Sequence, residues 1–383
     1  MSRVDRPRVC WITTTPFIAN SFLRPHLSEL ARHYDMTLAL NLKDGYALRP
    51  LEPEVSVVGL ALQRKIAPVR DLVALVALIG LLARGRYDAV HTFAPKAGLL
   101  GMLAAWLTRV PVRLHTFQGE VWASKRGLAR LALKTADRLT ALLATQVLVV
   151  GEGERRFLRS ESVLEPEEGL ILGDGSIAGV DLERFQPDTA ARTRIRAALG
   201  ASGEDVLLLY LGRLVRDKGV LDLAAAFALA SARDPGLLLA YVGPDEEGIE
   251  PAIRASAGAA RDRLRFAPYV GEPEAYLAAA DIVCLPSHRE GFSTVLIEAA
   301  ACGVPVLAAD IYGTEGAVVD GVTGHRVSPR GAPAWGEAIL GLARDEATRE
   351  RMGRAARSFA SERYSAARLT GEMRRLYRRL LGS

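Results

Sequence analysis

Only three of the 383 residues are cysteine, and Cys10, Cys284 and Cys302 stand far apart in apolar surroundings. An odd, dispersed set supports neither a disulfide framework nor a cysteine metal cluster, so they read as reduced core residues of a cytoplasmic protein. No apolar run reaches the roughly 20 residues that a membrane-spanning helix needs. The longest, 72–83 and 97–107, are far shorter, and after Arg6 and Arg8 the apolar stretch 9–12 is too brief for a secretory leader. There is no Walker-type phosphate loop, no H-E-x-x-H helix, no C-x-x-C pair and no G-x-S-x-G elbow. These absences argue against P-loop, zinc-peptidase, thiol-redox and serine-hydrolase chemistry. No Asp-x-Asp pair stands ready to hold a divalent ion against a diphosphate, so neither a metal nor a cofactor is expected.

What is present is a chain with 49% hydrophobic residues, enough for two domains with a core each. Charge is unevenly divided. Residues 1–180 hold 23 Lys and Arg against 17 Asp and Glu, and the remainder 26 against 27. The basic first half is either a solvated surface or a face for anionic lipid. The candidate contacts are Arg64, Lys65 and Arg70 ahead of the apolar segment 72–82, and Lys125, Arg126, Arg130, Lys134 and Arg138. Nucleic acid is not expected, since no recognition motif or aromatic platform accompanies the charge.

Short apolar runs alternate with longer helical patterns. Strands are expected at 9–13, 36–40, 55–58, 89–92, 112–116, 147–150 and 170–172, then at 206–211, 237–242, 264–266, 282–285, 306–308 and 325–327. Continuous apolar strands between helices call for parallel sheets covered on both faces, an α/β class. The linker is expected at 179–187, giving domains 1–182 and 183–365. The amphipathic stretch 366–381 carries Arg374, Arg375, Arg378 and Arg379. Residues 173–178 fit the dinucleotide fingerprint G-x-G-x-x-A, but Gly179 and Pro187 follow where a helix must begin, so a connecting loop is expected instead.

Two turns carry candidate chemistry. The run 206–211 ends in Gly212, Arg213, Leu214, Val215, Arg216, Asp217, Lys218 and Gly219, just before an Ala-rich helix. Arg213, through its planar fork, and Lys218, as a point charge, would neutralise a diphosphate without a metal. After 282–285 comes a polar turn with Glu290, Gly291 and Phe292. A helix follows whose start is marked by Ser293 and Thr294, whose end is marked by Gly303 and Pro305, and which contains Glu298. Ligands of open α/β sheets bind at such strand ends, where the first helical N–H groups meet anions.

The strings LGRLVRDKG (211–219), YVGP (241–244) and PSHREGFSTVLIEAAACGVPVLA (286–308), with Gly313 and the turn 320–324, resemble the nucleotide-binding half of the retaining glycosyltransferases of family four. Residues 91–98 and 173–187 are similar to acceptor-side landmarks of their bacterial members that build capsule, O-antigen and exopolysaccharide. The resemblance implies the GT-B fold, two Rossmann-like β/α/β domains facing across a cleft, with 366–383 crossing back onto the first. It implies that Glu298 binds the ribose hydroxyls and Glu290 a hydroxyl of the transferred sugar, with the N–H groups of Gly291 and Phe292 facing sugar or phosphate. Tyr269, Val270 and Val295 either wall the base or pack in the core.

The chain departs from that family on the acceptor side. Gln118 stands where many relatives carry a His, and Gln cannot serve as a base. His115, three residues earlier, is either a substitute base or a strand-end residue satisfied by the backbone. Glu120 would orient acceptor or sugar, and Trp122 would pack on a sugar face. His91 and Lys96, read as following a strand, would meet donor phosphate or acceptor. Thr14, Thr15, Phe17 and Asn20 occupy the first strand-to-helix turn without the usual Gly-rich loop, and Asp174 replaces a common Asn. The expected function is sugar transfer with retention, from a nucleotide-diphosphate donor such as a UDP-sugar to a lipid-linked saccharide. The expected setting is the cytoplasm, on the inner face of the membrane. The alternatives are a GT-B sugar-nucleotide epimerase or hydrolase, and a non-catalytic nucleotide-sugar-binding partner.

Overall fold

A computed structural model describes residues 6–43, 45–52, 55–63 and 67–382. Arg64 and Lys65 lie outside the described residues. The chain forms two compact units, Met1–Ala178 with Ala366–Ser383, and Gly179–Ser365.

The first unit is a seven-stranded parallel sheet: β1 (Arg8–Ile12), β2 (Asp35–Leu40), β3 (Ser56–Gly59), β4 (Ala89–Phe93), β5 (Val112–Thr116), β6 (Gln146–Val149) and β7 (Leu170–Ile171), in the order β3-β2-β1-β4-β5-β6-β7. Its helices are α1 (Pro16–Ile18), α2 (Arg24–Leu30), α3 (Pro68–Gly85), α4 (Pro95–Leu107), α5 (Gly127–Leu143) and α6 (Glu152–Ser160). Cys10, Ile12 and Val90 pack under α3 and α4. Trp11 and His91 point to the other face and meet the last helix, α14 (Ala366–Leu381), at Tyr377. That helix buries Leu369, Met373, Leu376 and Tyr377, packs on α2, and pairs Arg374 with Glu29 at 2.7 Å.

The second unit has α7 (Thr189–Leu199), then β8 (Val206–Leu211), α8 (Val220–Ser231), β9 (Leu237–Val242), α9 (Glu250–Ala257), β10 (Leu264–Ala267), α10 (Pro273–Ala279), β11 (Ile282–Leu285), α11 (Thr294–Ala301), β12 (Val306–Ala309), β13 (Gly324–Val327), α12 (Ala332–Arg344) and α13 (Glu346–Arg363). Its six strands are parallel, in the order β10-β9-β8-β11-β12-β13. Alternate residues of one strand feed different cores. Leu207, Leu209, Leu238 and Ala240 belong to one cluster, and Leu208, Tyr210, Leu239 and Tyr241 to the other. Such two-sided burial requires unbroken apolar runs.

The unit boundary falls slightly ahead of the expected one. Val180 donates its N–H to Tyr364 O at 2.7 Å and Phe185 is buried in the second unit's core, so the expected linker belongs to that unit. Residues 173–178 form turns, not the helix start that a dinucleotide site would need, and the next helix begins only at Thr189. Asp174 pairs with Arg368 at 3.0 Å within the first unit. All three cysteines are buried thiols, and burial pushes those of Cys284 and Cys302 up to about 12. Among the described residues, no helix is long and apolar enough to cross a membrane.

Candidate active site

In the second sheet the chain runs from β8 outward to β9 and β10, then returns to add β11 on the other side of β8. Ligands of open α/β sheets bind outside the carboxyl ends of the strands at such a reversal. The turns that leave β8 and β11 are the two singled out by sequence, and the structure joins them. Gly219 has φ +67°, and a side-chain carbon there would lie 2.1 Å from Pro286 O. His288 donates its N–H to Asp217 O at 3.0 Å and its Nε2 meets Asp222 Oδ2 at 2.7 Å. Lys218 Nζ reaches Glu290 Oε1 at 2.6 Å, the two side chains being 22% and 13% exposed.

The turn after β12 closes on the same place. A side-chain carbon at Gly313 would sit 2.3 Å from Glu290 O, and Ser293 donates its N–H to Gly313 O at 3.3 Å. Ser293 is the N-cap of α11, but its hydroxyl accepts from no helix N–H, so the first-turn N–H groups at Thr294 and Val295 remain open to an anion. Glu298 stands one turn further on, half-buried. Desolvation pushes its pKa up to about 7, opposed by Arg184 and reinforced by Glu274. Arg213 lies at the rim, 37% exposed, and pairs with Glu246 at 2.8 Å. Gly212 and Gly291 sit in the two turns, while Phe292 packs its ring on Tyr364 at 5.4 Å. Val270 and Val295 pack against the core, and Tyr269 is 58% exposed after β10. Sequence reasoning missed Glu246, and also Ser287 in the turn after β11, whose hydroxyl is fully buried without a hydrogen-bond partner.

The first sheet reverses between β1 and β4. Thr15 caps the helix start by accepting from the Ile18 N–H at 3.3 Å, and Thr14 is buried beside it. α1 passes through a π-helical turn, Ala19–Leu23, into α2. Such turns recur at functional sites. Phe17 packs against Phe22 and Tyr46, and Asn20 binds the backbone of Ala47 and Arg49.

Several acceptor-side expectations are corrected here. His91 does not follow a strand: it is fully buried inside β4, with Nδ1 2.9 Å from the Tyr377 hydroxyl and Nε2 2.7 Å from Thr116 Oγ1. Trp11 Nε1 donates to the same Tyr377 oxygen at 2.7 Å, so the three side chains share one buried hydrogen-bonded cluster. His115 is buried in β5 under Gly98, with Nδ1 2.8 Å from Thr92 Oγ1, and burial drops its pKa to about 3. Of its two readings, this placement favours the strand residue satisfied by its neighbours over the substitute base. Trp122 is core, stacked on Phe157 at 5.3 Å and donating to Asp137 at 2.7 Å, so no face is open to a sugar. Glu120 is buried and hydrogen-bonds Glu154. Glu154 accepts from Gly119 N at 2.6 Å and Val150 N at 2.8 Å and so fixes the loop that bears Gln118. Desolvation pushes both Asp137 and Glu154 up to about 7. Gln118 keeps a buried Nε2 without a hydrogen-bond partner. Lys96 pairs with Asp71 at 2.8 Å.

Residues 191–359 match the family described as glycosyl transferases group 1, and residues 22–175 the glycosyl transferase 4-like domain. The chain is 27% identical to the capsular polysaccharide biosynthesis glycosyltransferase CapM of Staphylococcus aureus, over 92% of each protein. It is 32% identical to the D-inositol 3-phosphate glycosyltransferase of Saccharomonospora viridis, over 78% of this chain and 72% of that one. Among solved structures, Anabaena HepE in complex with UDP and glucose superimposes with a TM-score of 0.80 at 18% identity, over 97% of this chain and 99% of that one.

Proposed function

From the premise that this chain belongs to the group 1 glycosyl transferases and is a glycosyltransferase of GT-B fold, we propose that it transfers a sugar from a UDP-sugar to a hydroxyl of a lipid-linked saccharide in surface polysaccharide synthesis, with retention and without a metal. The observation that carries this reading is the convergence of Arg213, Lys218, Glu290 and the open start of α11 at the strand reversal of the second unit. Charge develops as the C1–O bond to the diphosphate breaks and its electron pair leaves with the phosphate. Arg213, Lys218 and the α11 N–H groups stabilise that charge, each well-placed donor contributing about 3 kcal/mol. Glu290 accepts from a hydroxyl of the sugar, and Glu298 accepts from the ribose diol, each with two oxygens. With His115 buried and Gln118 unable to take a proton, the acceptor hydroxyl attacks from the face the diphosphate leaves, and its proton passes to the departing phosphate oxygen. A UDP donor is supported by the UDP bound in HepE, and a saccharide acceptor by the likeness to CapM.

A lipid-linked acceptor is supported by the surface of the first unit. On α3, Val69, Leu72, Val73 and Val76 follow i, i+3, i+4, i+7 spacing and all are exposed, as are Leu128 and Leu131 at the start of α5. Both helices pack against α4, and exposed Arg70, Lys125 and Arg126 flank the apolar residues. Apolar side chains edged by cations fit an anionic membrane on its cytoplasmic side.

Incubation with a panel of UDP-sugars and extracted lipid-linked saccharides, in excess chelator, should release UDP only when donor and acceptor are both present. Release without acceptor would replace transfer by hydrolysis or epimerisation. UDP binding with no turnover would mark a non-catalytic binder, and activity lost to chelator but restored by magnesium would overturn the metal-free scheme.

A further inference from the structure

The turn after β8 that bears Arg213 and Lys218 is met by an acidic turn after β9. Gly212 donates its N–H to Val242 O at 2.9 Å and Leu214 donates to Pro244 O at 2.9 Å. The approach is so close that a side-chain carbon at Gly243, with φ +143°, would sit 2.0 Å from Gly212 O. Across this contact Glu246 Oε2 holds Arg213 Nη1 at 2.8 Å, and Glu247 Oε2 accepts from the Arg216 N–H at 3.2 Å. Asp245 is spent on its own turn, accepting from the N–H groups of Glu247, Ile249 and Glu250.

We propose that Glu246 is an internal competitor for the donor's diphosphate: it occupies Arg213 in the empty site and yields it when the diphosphate arrives. The inference rests on the reading of Arg213 as a diphosphate ligand and adds a residue that opposes binding. The physical basis is unequal charge. Glu246 offers one negative charge and a diphosphate more than one, so exchange favours the diphosphate, whereas a singly charged anion gains little by it. The pair is 37% and 34% exposed, which makes it cheap to break. Lys218 is held differently, because its partner Glu290 is itself assigned to the donor sugar and is less exposed.

Calorimetric titration of the full chain with UDP tests this. Glu246→Gln should bind UDP about three- to tenfold more tightly than wild type, with the gap narrowing as salt rises. Glu246→Asp, which keeps the carboxylate, should resemble wild type. In an Arg213→Ala background, Glu246→Gln should change the affinity less than about twofold, because the competition acts through Arg213. Unchanged or weaker binding by Glu246→Gln overturns the proposal. An equal gain without Arg213 also overturns it, since the effect would then be net charge alone. If neither wild type nor Glu246→Gln binds UDP at millimolar concentration, the donor reading falls and this inference with it. Binding by Glu246→Gln alone would support it.

Discussion

Burial separates the two cations of the site. Lys218→Ala would strand the carboxylate of Glu290, 13% exposed, so it should cost about 1–3 kcal/mol of stability as well as lowering turnover at least tenfold. Arg213→Ala breaks an exposed pair and should lower turnover as much while leaving stability within about 0.5 kcal/mol. Urea unfolding beside steady-state kinetics checks both, and normal turnover in either variant removes that residue from the mechanism. Glu298 gives a pH signature. Its folded pKa of about 7 lies above the ordinary carboxyl value of 4.5, so its contribution to stability is fully present below about pH 4.5 and is lost as pH rises through 7. Glu298→Gln should therefore match wild type near pH 4.5 and exceed it by up to about 3 kcal/mol at pH 8. A gap that does not change with pH would show that Glu298 ionises normally. The same tuning suits a ribose ligand, because diol hydroxyls donate to the charged form and binding would draw the pKa down.

At the scale of elements, the site depends on turns from three strands touching through glycine. Gly219→Ala must place a carbon against Pro286 O at a positive φ, and should cost more than about 3 kcal/mol or prevent folding. Gly203→Ala, in open space, is the control, and a loss below about 1 kcal/mol at Gly219 would show that the turns can part. These elements were readable from sequence where physics leaves a local mark. Strands β8 and β9 appear as the unbroken apolar runs 206–211 and 237–242 because both faces are covered, and α11 starts after Ser293 and stops before a Gly303 of φ +73°. What escaped was long-range pairing. His91 looked available because its partner Tyr377 lies 286 residues away, and Lys218 and Glu290 are 72 apart. Trp122 looked like a sugar platform because the stacking Phe157 is on another helix. The π-helical turn after β1 leaves no periodic signature in five residues.

For the whole molecule, the question is whether the basic bias of residues 1–180 is free to act. Part of it is not: Arg130 and Lys134 both pair with Glu161 at 2.6 Å, and Arg138 donates to Ser162 O at 2.7 Å. Arg70, Lys125 and Arg126 remain exposed beside the apolar residues of α3 and α5. Membrane binding through this face should therefore have two parts with different salt responses, since screening weakens the cationic part and leaves apolar insertion intact. Co-sedimentation with vesicles rich in anionic lipid should fall as salt rises but not vanish, and neutral vesicles should bind only weakly. Lys125→Ala with Arg126→Ala should remove mainly the salt-sensitive part. Leu72→Ser with Val76→Ser should remove the salt-resistant part, each buried aliphatic side chain contributing about 1.5–3 kcal/mol when inserted. UDP binding, proposed for the second unit, should be unaltered in both variants. If the serine variant binds vesicles as wild type does at every salt concentration, the α3 stripe is ordinary exposed surface and the acceptor must reach the enzyme without it.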